Sequence, residues 1–93
     1  MTPSPSSNGD APLILVVDDE QAFRRSMEVT LGAKGYRVVT ADDGESALEA
    51  VARDRPDLVV LDLGLPGISG HDVIAALRAW TRVPVLVLSA RHD

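Results

Sequence analysis

Leu13-Ile14-Leu15-Val16-Val17-Asp18-Asp19 is five aliphatic residues closed by two acids, and Leu58-Val59-Val60-Leu61-Asp62 repeats the pattern with one. A third run, Val85-Leu86-Val87-Leu88, closes on a hydroxyl, Ser89. Unbroken aliphatic runs of this length mark strands covered on both faces, as the strands of parallel sheets are. Ligands of open α/β sheets bind beyond the carboxyl ends of such strands, and all of these polar residues stand at that end. The three runs therefore predict an α/β domain with a polar site at one sheet edge.

Between the runs the periodicity turns helical. Phe23, Met27 and Leu31 fall at i, i+4 and i+8, one stripe of a helix near residues 20–33, with Gly32 and Gly35 at its end. Tyr36-Arg37-Val38-Val39-Thr40 reads as a short strand near 36–40, its polar position suited to a sheet edge. Asp42-Asp43-Gly44 introduces a second helix near 44–54, which turns Ala47, Leu48 and Val51 inward and is barred by Pro56. After the strand near 58–61 comes the loop Gly64-Leu65-Pro66-Gly67-Ile68. Ser69 then suits the N-cap of a third helix near 69–80, with Asp72 as a weaker capping-box partner and Val73, Ile74 and Leu77 on the buried stripe. Val83-Pro84 opens the last strand, near 84–88, where proline is tolerated at the start. Regular alternation of strand and helix predicts βαβ units, right-handed crossovers and a parallel sheet.

Composition sets bounds on the rest. Of the 93 residues, the first twelve are rich in Ser, Pro, Gly and Asn and read as a disordered leader, since they cannot repay their ordering entropy by burial. Residues 13–93 are left for one domain, small enough to bury only about 60 to 65% of its unfolded surface. Cysteine is absent, which removes disulfides and thiolate metal sites and fits a cytoplasmic protein. No stretch reaches the length of a membrane span, and no basic segment followed by an apolar one suggests export. A formal net charge of -5 argues against a large phosphate-backbone footprint, so any action on DNA needs a further segment.

The acids carry the chemistry. Two carboxylates 4 Å apart repel by about 4 kcal/mol at an effective dielectric near 20, and a hard divalent cation relieves this. Magnesium prefers oxygen ligands and takes one or two carboxylates together with phosphate oxygens, so Asp18, Asp19 and Asp62 suggest magnesium and phosphate. Each residue also has a plainer reading. Asp18, Asp19 and Glu20 would serve as a helix N-cap, but one acid suffices for that. Asp62 alone could be a turn residue, and a hydroxyl such as Ser89 at a strand end is common. Asp42 and Asp43 fit a helix cap better than a metal site. His71 and His92 have no partner at ligand spacing, and Trp80 and Phe23 read as core or partly buried anchors. Arg24 and Arg25 fit a docking surface and a solvated face equally.

Taken together, an acidic pair after the first strand, an Asp ending the third, Pro66 four residues beyond it, Gly70 four beyond that, and Ser89-Ala90 after the fourth resemble the response regulator receiver domain. The likeness covers Leu13 to about Arg91. Leu61-Asp62-Leu63-Gly64-Leu65-Pro66 and Val83-Pro84-Val85-Leu86-Val87-Leu88-Ser89-Ala90-Arg91 look like the OmpR/PhoB subfamily, and within it the KdpE-type regulators of potassium-transport genes. The resemblance implies a flavodoxin-like, CheY-like open parallel sheet with helices on both faces. It implies that Asp62 accepts a phosphoryl group from a sensor histidine kinase. Asp19 and Asp62 would bind Mg2+ directly, the backbone carbonyl of Gly64 would be a third ligand, and Asp18 would act through water. Ser89 would be the switch hydroxyl.

The family's lysine at the end of a fifth strand has no counterpart before Asp93, nor do its fourth helix, fifth strand and fifth helix or a DNA-binding domain. A C-terminally truncated receiver is therefore expected, with an exposed Val85–Leu88 edge and self-association as the consequence. Two other functions stay open: an interaction fragment unable to hold phosphate, and a magnesium-dependent phosphohydrolase. The second is disfavoured because such enzymes place their nucleophile in an Asp-x-Asp spacing, whereas Asp18 and Asp19 are adjacent.

Overall fold

A computed structural model describes residues 11–88 of the chain. Four strands and three helices follow in strict alternation: β1 (Leu13–Val17), α1 (Gln21–Ala33), β2 (Arg37–Ala41), α2 (Gly44–Asp54), β3 (Leu58–Asp62), α3 (Gly70–Arg78) and β4 (Val85–Leu88). All three strand pairings are parallel and the sheet order is β2-β1-β3-β4, the flavodoxin-like order.

Alternation along the buried strands divides the core in two. Leu15, Val17, Val59 and Leu61 face α2 and α3, where Ala47, Ala50, Val51, Val73 and Leu77 close a dry cluster. Ile14, Val16 and Val60 face the other way, toward Phe23, Met27 and Leu31 of α1. Leu15, Leu61, Leu77, Val16, Val17, Val59 and Val73 are the largest fully buried side chains, each contributing about 1.5 to 3 kcal/mol of transfer free energy. The α1 stripe is only half-buried, so the second cluster is thinner than the first.

Element ends differ slightly from the sequence-based expectation, and hydrogen bonds explain how. Glu20 is the N-cap of α1 rather than its first residue. Tyr36 is not the first residue of β2. Its N–H donates to the carbonyl of Leu31 (3.1 Å) while Gly35, at φ 96°, donates to Gly32 (3.0 Å), so both belong to the Schellman stop of α1. Ser69 caps α3 as expected, accepting from the N–H of Asp72 at 3.1 Å, but the reciprocal capping-box bond is absent among the described residues. Pro84 precedes β4, although its carbonyl already accepts from Val59 N–H (2.9 Å). Ala11 and Pro12, assigned by composition to the leader, are held to β2: their carbonyls accept from the guanidinium and the N–H of Arg37, each at 3.0 Å.

Candidate functional site

Register assembles the site. Val17 stands opposite Leu61 across the β1–β3 pairing, so one step further Asp18 lies beside Asp62 at the carboxyl edge of the sheet. Both side chains share the parity of Val16 and Val60 and turn toward the α1 side. Asp18 and Asp62 are buried, at 6% and 5% exposure, and are the buried charged residues of the described chain. Asp19, one residue into the loop, is exposed. One carboxylate oxygen from each of Asp18, Asp19 and Asp62 lies within 4.8 Å of the other two. The structure thus brings together the three acids singled out in the sequence.

Local bonds fix each acid. Asp18 donates its N–H to Ala41 (3.1 Å), its Oδ1 accepts from Glu20 N–H (2.9 Å), and its carbonyl accepts from the Arg24 guanidinium (2.8 Å). Asp62 Oδ1 accepts from Gly64 N–H at 3.0 Å, which ties Gly64 to the site by its amide. Gly70 secures the same loop from below. A Cβ there would stand 2.8 Å from the Cα of Leu63, so only glycine lets α3 approach the residue that follows Asp62.

Electrostatics mark the cluster as unfinished. Burial pushes the Asp18 carboxyl above its ordinary value, the carboxylates of Asp62, Asp19 and Glu20 push further, and the Glu20 N–H bond opposes them. Among the described residues no salt bridge reaches this edge; the one ion pair is Arg53–Asp54 on the α2 surface. Three oxygen donors without a nitrogen or sulfur ligand suit a hard cation such as magnesium. The fit is chemical as well as geometric, because an ion there would relieve the repulsion that adds to burial in raising Asp18.

The other candidates sort plainly. Asp43 caps α2, accepting from Ser46 N–H at 2.8 Å, and that bond holds its carboxyl below the ordinary value. Asp42 does not join the acidic cluster. Phe23 packs on the thinner core cluster, but Trp80 is 54% exposed and is no core anchor. It lines a cleft of about 490 Å³ with Val51, Pro56 and Val83, walled by the ends of α2 and α3 and remote from the acids. Ser89 and His92 lie outside the described residues, and His71 sits exposed in the first turn of α3.

Sequence reasoning missed Asp57, whose carboxylate accepts from Leu13 N–H at 2.8 Å and locks the opposite end of the β1–β3 pairing. Nothing local signals that bond, since its partners are 44 residues apart. Arg24 and Arg25 are alike in sequence, but only Arg24, half-buried, reaches back to the acidic loop. No helix among the described residues is long and apolar enough to cross a membrane.

Comparison with known proteins accords with this architecture. The chain is 52% identical over 81 residues to the transcriptional regulatory protein KdpE of Mycobacterium tuberculosis, covering 87% of this chain and 36% of that protein. It therefore spans about a third of the length of the curated relatives it matches. Its fold superposes on the chemotaxis response regulator CheY4 of Vibrio cholerae with a TM-score of 0.83 at 30% identity, covering 89% of this chain and 72% of CheY4. A chain from the crystal structure of histidine kinase ThkA with response regulator protein TrrA superposes with a TM-score of 0.79 at 37% identity, over 88% of this chain and 72% of that one. Residues 14–93 match the response regulator receiver domain, and with the strand order and the acidic edge in agreement, the chain belongs to that family.

Proposed function

We propose that Asp62 is the phosphoacceptor of a two-component response regulator and that it works with Mg2+ held by the same acidic edge. The observation that carries this reading is the meeting of Asp18, Asp19 and Asp62 within 4.8 Å at the end of β3. Asp19 and Asp62 would hold the ion directly, the Gly64 carbonyl would be a third ligand, and Asp18 would act through water. The chemistry such an ion supplies is neutralisation of the charge gathered between carboxylates and phosphoryl oxygens.

The chain's own part is positioning. Asp62 presents one carboxylate oxygen while the Gly64 N–H holds the other at 3.0 Å. In transfer from a sensor-kinase phosphohistidine, an Asp62 oxygen attacks phosphorus, the P–N bond breaks as the P–O bond forms, and the departing imidazole nitrogen takes up a proton. Ser89, the residue after β4, is the switch hydroxyl that donates to the new phosphoryl oxygens. The kinase partner is supported by the likeness to a chain from a kinase–regulator complex, and a role in transcription by the likeness to KdpE. A cytoplasmic site of action, and DNA contact through a separate domain, complete the reading.

Incubating the chain with Mg2+ and beryllofluoride should give one adduct per chain, lost in Asp62→Asn. No adduct in the unsubstituted chain would refute the phosphoacceptor reading, and many turnovers of acetyl phosphate would favour a phosphohydrolase.

The exposed edge of β4 supports a second reading, self-association. Leu86 is 54% and Val87 38% exposed on an edge strand of the described sheet, an arrangement that favours pairing with another strand. Sedimentation showing only monomer at micromolar concentration would end that reading.

A further inference from the structure

Arg24 and Arg25 are neighbours in sequence with the same charge, yet they do different things. Arg25 is exposed, whereas Arg24 is half-buried on the first turn of α1 and donates its Nη1 to the backbone carbonyl of Asp18 at 2.8 Å. That carbonyl belongs to the peptide joining Asp18 to Asp19. The near side of the loop is fixed as well, since Asp18 N–H bonds Ala41 (3.1 Å) and Asp18 Oδ1 accepts from Glu20 N–H (2.9 Å). Asp19 has no such bond among the described residues, so the setting of its carboxylate depends on the peptide plane that Arg24 holds.

We propose that Arg24 is a positioning residue for the cation site: by pinning the Asp18–Asp19 peptide it aims the exposed Asp19 carboxylate at the point shared with Asp62. The inference rests on the reading of the acidic edge as a Mg2+ site. Outer partners that orient a metal ligand are worth about 10- to 100-fold in metal affinity. Mg2+ demands near-octahedral geometry whereas Ca2+ accepts looser arrangements, so a loosened Asp19 must weaken Mg2+ more than Ca2+. A purely electrostatic role would act the other way, since removing a positive charge beside a cation site raises the affinity for both ions together, and Arg25 would share it.

The test titrates Mg2+ and Ca2+ separately by calorimetry into the unsubstituted chain, Arg24→Ala, Arg24→Gln and Arg25→Ala, with urea unfolding of each in chelator. Arg24→Ala should weaken Mg2+ binding about tenfold and lower the Mg2+ to Ca2+ affinity ratio. Arg25→Ala, which removes the same charge, should leave that ratio unchanged. Arg24→Gln keeps most of the stem on α1 but not the reach, and should lose affinity likewise, so the outcome does not hang on whether the Ala variant folds. Mg2+ affinity unchanged in both Arg24 variants, or lowered equally by Arg25→Ala, overturns the inference while the Mg2+ site stands. Absence of Mg2+ binding in the unsubstituted chain overturns the site and the inference together.

Discussion

Asp18→Asn should stabilise the metal-free protein and blunt its response to magnesium. The carboxylate oxygens of Asp18, Asp19 and Asp62 lie within 4.8 Å of one another. At that separation a pair of charges repels by about 3.5 kcal/mol at an effective dielectric of 20 and by about 0.9 kcal/mol in bulk water. The Asp18–Asp19 pair is adjacent in the unfolded chain too, so the part specific to folding is the Asp18–Asp62 pair, both members buried. Asn keeps an oxygen to accept from Glu20 N–H, now at 2.9 Å, and therefore leaves no orphaned amide.

The expected gain is about 1 to 3 kcal/mol without metal, the range between those two limits. The assay is urea unfolding at neutral pH in chelator, where such a gain moves the midpoint by about 1 M for a domain of this size. At a Mg2+ concentration 100 times the dissociation constant the unsubstituted chain gains about 2.7 kcal/mol, which the Asn variant should largely forgo. The difference between the two should shrink or reverse in Mg2+.

The pH dependence has a definite sign. Asp18 has its folded value raised above 3.8, so the native state binds the proton more tightly than the unfolded one. Stability from this group therefore falls as pH rises from the ordinary carboxylate value through the raised one, and the advantage of Asn grows over that window and then stays level. A lower midpoint for Asp18→Asn in chelator, at unchanged slope, would refute the electrostatic account of the site.

Three further substitutions test the scaffold. Gly70→Ala would drive a Cβ to 2.8 Å from the Cα of Leu63, costing about 1 to 3 kcal/mol by urea unfolding; an unchanged midpoint would mean that the loop after Asp62 yields freely. Arg55, the C-cap of α2, sits in the left-handed region at φ 50° just before Pro56. Arg55→Gly should raise the thermal midpoint by about 2 to 4 °C once glycine's extra unfolded freedom is deducted, and a fall would show that the arginine side chain matters more than its backbone. Asp57→Ala removes the acceptor 2.8 Å from Leu13 N–H and should cost about 1 kcal/mol, with Asp57→Asn restoring most of it by the same assay.

Much of the architecture was legible because β1 and β3 are buried on both faces; β4 carries the same aliphatic signature, although Leu86 and Val87 stand exposed at the sheet edge. Leu13–Val17, Leu58–Leu61 and Val85–Leu88 could not be mistaken for amphipathic surface segments, and the stripe Phe23, Met27, Leu31 could only be a helix. The acids were legible for the complementary reason: a carboxylate ending an apolar strand needs an explanation. Trp80 was misread, because hydrophobicity states a preference for burial and says nothing of whether a neighbour is there to bury it. The start of β2 was misplaced by one residue, because Tyr36 has strand propensity but its N–H is taken by Leu31.

By itself the sequence determined the order of elements, the faces that must be dry and the acids that end the apolar strands, since these depend on periodicity and residue type along the chain. Only the tertiary structure decided which atoms meet. The register Val17 to Leu61 sets Asp18 beside Asp62, a bond across 44 residues makes Asp57 a lock, and a 2.8 Å contact separates Arg24 from its twin Arg25. Such choices are made by pairing between strands distant in sequence and by distances of a few tenths of an ångström, quantities that no local pattern encodes.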